Sequence, residues 1–349
     1  MVITIITTKD KEKWVAYLEE VECKDIFFDC EYFRLNEQES GYIGEMFIYE
    51  NEGNLVVYPY LKIPLHTLSF FSNASEDGEY YDITSLEYGG ALMKNKNVDF
   101  FSSFLQEFNS YCRANNIITE FLRLHPLMPN EYQLGKEKIK ETFCIDLHQS
   151  EDDIFSHYGK SNRNAINRSL REKIEIVHSK EKKYVDAFYT IYMKTMKRRH
   201  ARSFYLYTRE YLDRLIESFG NGIELFVAYF NGVPVSTGIF LCGGETVHYY
   251  LAGSKPEFGK YGGSNLLLHT AILWAKKQGF SQFNLGSGYQ PKDNLLKFKS
   301  SFTNTSVPYW RYRRIHSPEL YIKFIEAKEA YSKQNDFFLD DQFFPKYRG

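Results

Sequence analysis

Residues 245–302 read ETVHYYLAGSKPEFGKYGGSNLLLHTAILWAKKQGFSQFNLGSGYQPKDNLLKFKSSF, and the fold follows from this stretch. Thr246 to Ala252 is rich in β-branched and aromatic residues and predicts a strand. The loop Gly259-Lys260-Tyr261-Gly262-Gly263 follows, then a helix with an apolar face of Leu267, Leu268, Ala271, Ile272 and Ala275. Ser264 is placed to cap that helix, Lys276 and Lys277 suit its negative end, and Gly279 stops it. Phe280 to Leu285 predicts a second strand. After Gly286-Ser287-Gly288 comes the run Leu295-Leu296-Lys297-Phe298-Lys299. A strand, a glycine loop and a helix start in succession bring backbone N–H groups to one point, an arrangement suited to a phosphate or another anion.

Outward from this stretch the same grammar recurs. Ile223 to Tyr229 and Val233 to Leu241 flank Asn231-Gly232, a tight-hairpin signal. In the first half, Ile43 to Glu50 and Leu55 to Ile63 flank Asn51-Glu52-Gly53. Tyr88-Gly89-Gly90 follows. Phe100, Phe101, Phe104, Leu105, Phe108 and Tyr111 then recur at helical spacing, and Ile117 to Leu124 reads as a strand. Hairpin, YGG, helix and strand occur twice, which predicts a duplicated α/β unit. Val2 to Thr7 predicts a first strand and Lys11 to Glu22 a first helix. Between the halves, helices are expected over Glu151 to Tyr158 (capped by Ser150), over the basic run Gly159 to Arg171 (capped near Ser161), over Lys183 to Arg199 and over Arg209 to Phe219. The domain boundary is placed near Ser150, giving domains 1–150 and 151–349. The tail from Gln334 alternates charge with Phe and Tyr and is expected to pack on the body.

The composition bounds the function. With 349 residues, two domains are the default. The 43% hydrophobic and 25% charged fractions are those of a globular protein. A net charge of -2 argues against wholesale nucleic-acid binding but allows a local basic face. No apolar run approaches the roughly 20 residues of a membrane helix, and the N-terminus lacks a signal-peptide pattern. Cys23, Cys30, Cys112, Cys144 and Cys242 show no metal-ligand spacing, so a reduced, cytoplasmic setting and no metal are expected. No GxSxG or P-loop pattern is present.

The order strand, YGGSNLLLH helix, FNLGSG and NLLKFKSSF resembles the C-terminal half of the FemAB family and its BioF2-like acetyltransferase relatives, within the GNAT N-acyltransferase superfamily. Ser264-Asn265, Asn284-Leu285-Gly286, Phe298-Lys299 and Phe302 carry the resemblance, and Arg163-Asn164-Ala165-Ile166 matches the basic helix of these proteins. The general GNAT loop pattern, Q/R-x-x-G-x-G/A, holds the coenzyme A pyrophosphate. This chain has Gly259-x-x-Gly262-x-Ser264, with Lys260 beside the place of the opening basic residue.

The resemblance implies two tandem GNAT-like α/β domains, each a mixed β-sheet flanked by helices. It also implies transfer of an acyl group from acyl-CoA to an amine acceptor, sugar-linked or of the cell envelope. An aminoacyl-tRNA donor, as in FemAB cross-bridge enzymes, and a non-catalytic glycan- or nucleotide-binding pair are the alternatives; no long heptad insertion marks the tRNA-linked helical arm.

Gly259, Lys260, Gly262, Gly263, Ser264 and Asn265 are the expected donor-binding residues. Lys299 and Tyr88 are the expected catalytic residues, the lysine as a cation that offsets developing charge. Glu87, Arg163, Arg168 and Phe298 are expected at the acceptor or substrate. Read without the resemblance, Lys297 and Lys299 are solvated lysines, and the Arg163–Arg171 cations form either a phosphate contact or an ordinary polar face. Lys197-Arg198-Arg199-His200 complements a helix end. His248 and His269 read as structural histidines, and Asp82 and Asp293 as weaker carboxylate candidates.

Overall fold

Strand alternation and turn chemistry build the first sheet. In the computed structural model, which describes residues 1–71, 78–133, 135–288, 293–335, 340 and 342–349, the chain forms two compact units. Residues 289–292 of the stretch quoted above, and 336–339 and 341 of the tail, lie outside the described residues. The chain opens with β1 (Val2–Thr7), α1 (Lys11–Glu20) and α2 (Cys30–Ser40), the last a helix that sequence reading missed. Next come β2 (Ile43–Asn51) and β3 (Asn54–Pro64), an antiparallel hairpin. Its turn residues Glu52 and Gly53 both have positive φ, 50° and 79°, which matches the strand twist. Then follow β4 (Tyr81–Thr84), β5 (Leu92–Met93), α3 (Val98–Ala114) and β6 (Ile117–Arg123). Asn97 caps α3, accepting from the Phe100 N–H, and the helix buries Phe100, Phe101, Phe104, Phe108 and Cys112. Those rings pack on Phe47, Tyr49 and Tyr58 of the hairpin.

The second unit begins within β7 (Lys136–Asp146) and continues with α4 (Glu151–Ser156) and α5 (Lys160–Arg171). Then come β8 (Glu175–His178), α6 (Lys182–Arg198) and α7 (Arg209–Phe219). β9 (Ile223–Phe230), β10 (Val233–Gly243), β11 (Thr246–Ser254), α8 (Gly263–Lys277), β12 (Gln282–Gly286) and α9 (Asn294–Ser300) complete it. α8 lays Leu267, Leu268, Ala271, Ile272 and Ala275 against Phe240, Val247, Phe283 and Leu285, so its expected apolar face is the buried one. The last elements are β13 (Ser306–Ile315) and α10 (Pro318–Asn335).

The two units repeat one topology. The first orders its strands β1-β2-β3-β4-β6-β13, with β5 beside β3, and the second β8-β9-β10-β11-β12-β7. In each, one neighbouring pair is parallel, β4 with β6 and β11 with β12, and a helix makes the crossover between them. The other neighbours in each order are antiparallel. The expected duplication therefore holds at the level of strand order.

Two expectations differ from what is observed. The second domain does not run from 151 to 349. The units divide between Ile139 and Lys140 and between Pro308 and Tyr309, and Lys24–Ile26 belongs to the second unit. The strand that follows β6 in sequence takes the last sheet position of the second unit, and the strand that follows β12 takes that of the first. β7 is rich in Lys and Glu and β13 in Arg, so no clear apolar pattern announces them. The two YGG sequences also serve different ends. The Gly89 N–H donates to the Arg123 carbonyl at the end of β6, whereas Gly262 and Gly263 open α8.

In the first unit, Asp82 is buried rather than available in a cleft. It accepts from Thr119 Oγ1 at 2.6 Å, Tyr347 Oη at 2.5 Å and Arg348 Nε at 2.6 Å, which ties the C-terminal residues to β4. All five cysteines are buried. Among the described residues, no helix is long and apolar enough to cross a membrane.

Candidate active site

The site forms where β11 and β12 part. They pair in parallel only from Thr246↔Gln282 to His248↔Asn284. β11 then continues to Ser254 while paired with β10, and the register shift between Ile239↔Leu251 and Phe240↔Tyr249 leaves Tyr250 as an extra residue, a β-bulge. A bulged strand bends, so the backbone of Tyr249 to Ser254 turns from its parallel neighbour. Such a strand edge can present N–H groups to a carbonyl oxygen.

A hydrogen-bonded chain fixes the point of divergence. The Gly286 N–H donates to Asn284 Oδ1 at 2.8 Å, so the Asn284 amide nitrogen faces His248 Nδ1, 3.1 Å away. That makes Nδ1 the acceptor and leaves Nε2–H to donate to Asp25 Oδ2 at 2.8 Å. His248, Asp25 and Asn284 are all buried. His248 is thus held in one tautomer by both neighbours. Asp25 lies 223 residues away in sequence, so no local signal marks it.

At the end of β12, Lys299 is 8% exposed, unlike Lys297, which faces solvent. Asp293 caps α9, accepting from the Leu296 N–H at 2.6 Å, and the helix directs Lys299 inward. Lys299 Nζ donates to the Ser287 carbonyl at 3.0 Å and lies 5.6 Å from the centre of the Tyr249 ring, within cation–π range. Lys140 Nζ donates to the next carbonyl, that of Gly288, at 2.6 Å. Two cations therefore gather at the end of β12, and Lys140 is one that sequence reading did not single out. Burial pushes the Tyr249 phenol above its usual range, so it stays protonated.

The glycine loop is built differently from the expectation. Ser264 does not cap α8. Gly262, at φ 76°, stands before the helix, and the Ser264 hydroxyl lies 2.9 Å from that of Ser236. A Cβ at Gly262 would meet the Ala165 carbonyl oxygen at 2.6 Å and Ser169 Oγ at 2.7 Å, so the close approach it permits is to α5. Arg168 donates to the Lys260 carbonyl at 2.7 Å and Ser169 Oγ to that of Tyr261 at 2.6 Å. Tyr261 stacks on Phe230 at 4.3 Å, and Lys260 Nζ sits over the Tyr261 ring. Asn265 Nδ2 donates to Asn162 Oδ1 at 2.8 Å, and Asn162 Nδ2 to the Ser301 carbonyl at 3.0 Å, linking the start of α8 to the end of α9. Gly259 has open space around its Cβ position. Gly263 and Ser264 start α8, where backbone donors lack intrahelical acceptors.

The other expected residues take structural positions. Arg163 donates to the Ser156 carbonyl at 2.8 Å and to that of Tyr158, closing the end of α4. No side chain caps α5; Gly159 precedes it, so the expected cap near Ser161 is absent. Phe298 packs edge-on against Phe302 at 5.2 Å. His269 lies 3.3 Å from the Tyr158 hydroxyl, and burial lowers its pKa to about 4, which keeps it neutral near pH 7. Tyr88 and Glu87 are half-buried and belong to the first unit. The Tyr88 ring meets Phe27 at 5.1 Å, His125 at 5.2 Å and Tyr309 at 5.7 Å.

Two units of one strand order, each with a parallel strand pair spanned by a helix, make a tandem α/β fold similar to those of FemX and of a tandem GNAT protein. Residues 159–299 match the acetyltransferase (GNAT) domain family, and they span α5 to Lys299, which takes in the site just described except Asp25 and Lys140. No curated protein matches the chain. Among solved structures, that of FemX is similar over 92% of this chain and 99% of its own, with a TM-score of 0.67 and 11% identity. The L-PGS of Bacillus licheniformis is similar over 92% and 96%, with a TM-score of 0.53 and 14% identity. A tandem GNAT protein of the clavulanic acid biosynthesis pathway is similar over 91% and 99%, with a TM-score of 0.52 and 8% identity. At these identities the likeness is one of fold, and the domain match lies within the second unit.

Proposed function

We propose that the second unit transfers an acyl group from acyl-CoA to an amine acceptor. The coincidence of the acetyltransferase-domain match with the parted β11–β12 pair and the buried Lys299 carries this reading. The neutral amine attacks the thioester carbonyl, an N–C bond forms, and the oxygen gains charge facing the N–H groups of the bent β11 edge. Lys299 offsets that charge. The C–S bond then breaks, and the proton lost by the amine ends on the departing thiol. Holding the amine against the carbonyl is most of the work, and no metal is needed. Gly259, Gly263 and Ser264 stand where the donor pyrophosphate meets the start of α8, with Lys260 beside them.

A second reading, aminoacyl rather than acyl transfer, is favoured by the likeness to FemX and L-PGS over nearly their whole length. Thermal shift decides between them. Acetyl-CoA or a longer acyl-CoA at about 100 times its Kd should stabilise the chain by about 2.7 kcal/mol. No shift with any CoA thioester overturns the first reading, and aminoacyl transfer from charged tRNA is then the assay that tests the second.

A further inference from the structure

Residues 187–209 carry Lys194, Lys197, Arg198, Arg199, Arg202 and Arg209, and no carboxylate lies between Asp186 and Glu210. In a chain of net charge -2 this is a concentrated basic patch. Two of these cations are engaged: Arg209 with Asp186 at 2.9 Å, and Arg198 with the Ser254 carbonyl at 3.1 Å. Lys194, Lys197, Arg199 and Arg202 face solvent. Next to them the segment after α6 displays apolar side chains outward: Phe204 is 46% exposed and Leu206 is 37% exposed. Single exposed apolar residues are ordinary. This pair, however, is held in place by its neighbours. The Tyr192 hydroxyl donates to the Tyr205 carbonyl at 2.9 Å, and Tyr207 stacks on Tyr211 at 4.3 Å and 12°. Tyr205 is held by its carbonyl and Tyr207 by its ring, and Phe204 and Leu206 are left exposed.

We propose that residues 194–207 dock the protein on an anionic lipid surface, the cations meeting headgroups and Phe204 and Leu206 entering the interface. Cations beside outward apolar side chains, flanked by tyrosines, are what the headgroup boundary takes. A nucleic-acid strand is favoured less, because Leu206 has no ring face for a base and the Tyr207 face is occupied by Tyr211. The patch adjoins the candidate strand: Thr195 Oγ1 accepts from the Ser254 N–H at 3.1 Å at the end of β11. Docking would therefore bring the lipid surface beside that strand end. The inference stands apart from the choice of donor.

Flotation of the full chain with vesicles tests it. Binding is expected to phosphatidylcholine vesicles carrying about 30% phosphatidylglycerol and not to phosphatidylcholine alone. It should weaken between about 0.1 M and about 1 M salt as screening grows. Arg199→Gln with Arg202→Gln should lower the partition coefficient about 25-fold, about fivefold per cation. Phe204→Ser with Leu206→Ser should lower it at unchanged charge. All four side chains are exposed, so both variants should melt like the wild type. Absence of binding, equal binding to neutral vesicles, or wild-type partition by either variant overturns the proposal. Binding of an RNA duplex without binding of vesicles overturns it in favour of a nucleic-acid partner.

Discussion

Gly262→Ala is expected to destabilise the second unit because of what the glycine touches. Two costs add. An L-residue at φ 76° costs about 1–2 kcal/mol. A methyl that would meet the Ala165 carbonyl oxygen at 2.6 Å must displace either α5 or the loop, and such overpacking costs about 1–3 kcal/mol. The sum is about 2–5 kcal/mol. Gly279→Ala is the control: its φ is 88°, with nothing within 4 Å of its Cβ position, so it should cost only the first, about 1–2 kcal/mol. Urea unfolding followed by far-UV circular dichroism, with ΔG taken from midpoint and slope, measures both. Equal losses for the two variants would show that α5 does not press on the loop, and the assignment of Gly262 to helix packing would be wrong. The same result bears on donor binding. A glycine packed on α5 predicts that Gly262→Ala moves the start of α8 as well, so a loss of donor affinity in this variant should come with the loss of stability.

Three further outcomes are expected. Lys299→Met should lower turnover by roughly 100-fold or more with little change in KM, and exposed Lys297→Met should leave both near wild type; equal rates in single-turnover experiments would remove Lys299 from the chemistry. Arg348→Ala leaves the buried Asp82 without its cation and should cost about 3–5 kcal/mol in urea unfolding, whereas a loss below about 1 kcal/mol would show the C-terminal lock to be idle. His269 has a folded pKa of about 4 against an ordinary 6.5, so the unfolded chain binds the extra proton and stability falls as pH drops from 6.5 towards 4. That loss amounts to roughly 3 kcal/mol, and His269→Gln should flatten the slope of stability against pH over this window.

Much of the architecture was legible in the sequence. Tight-turn residues at Asn51–Gly53 and Asn231–Gly232 announced the hairpins, and the phenylalanines of α3 and leucines of α8 announced the crossover helices, because backbone conformation and apolar periodicity are local properties. The repeat was legible for the same reason. The Phe298-Lys299 pair was legible only through the resemblance, since a lysine next to core residues reads as solvated until a helix turns it inward.

Tertiary structure decided the rest. Which sheet receives β7 and β13 depends on the edge each meets, and their charged sequences say nothing of that edge. Whether Gly262 admits a ligand or a helix depends on what lies opposite it, and Ala165 and Ser169 come from a different element. Arg163, Arg168 and Asn162 are polar residues on a basic helix, and only packing shows them donating to the carbonyls of Ser156, Lys260 and Ser301. The Asp25–His248–Asn284 chain joins residues that sequence places far apart; a buried polar group must find a partner, and the fold alone determines which one is near.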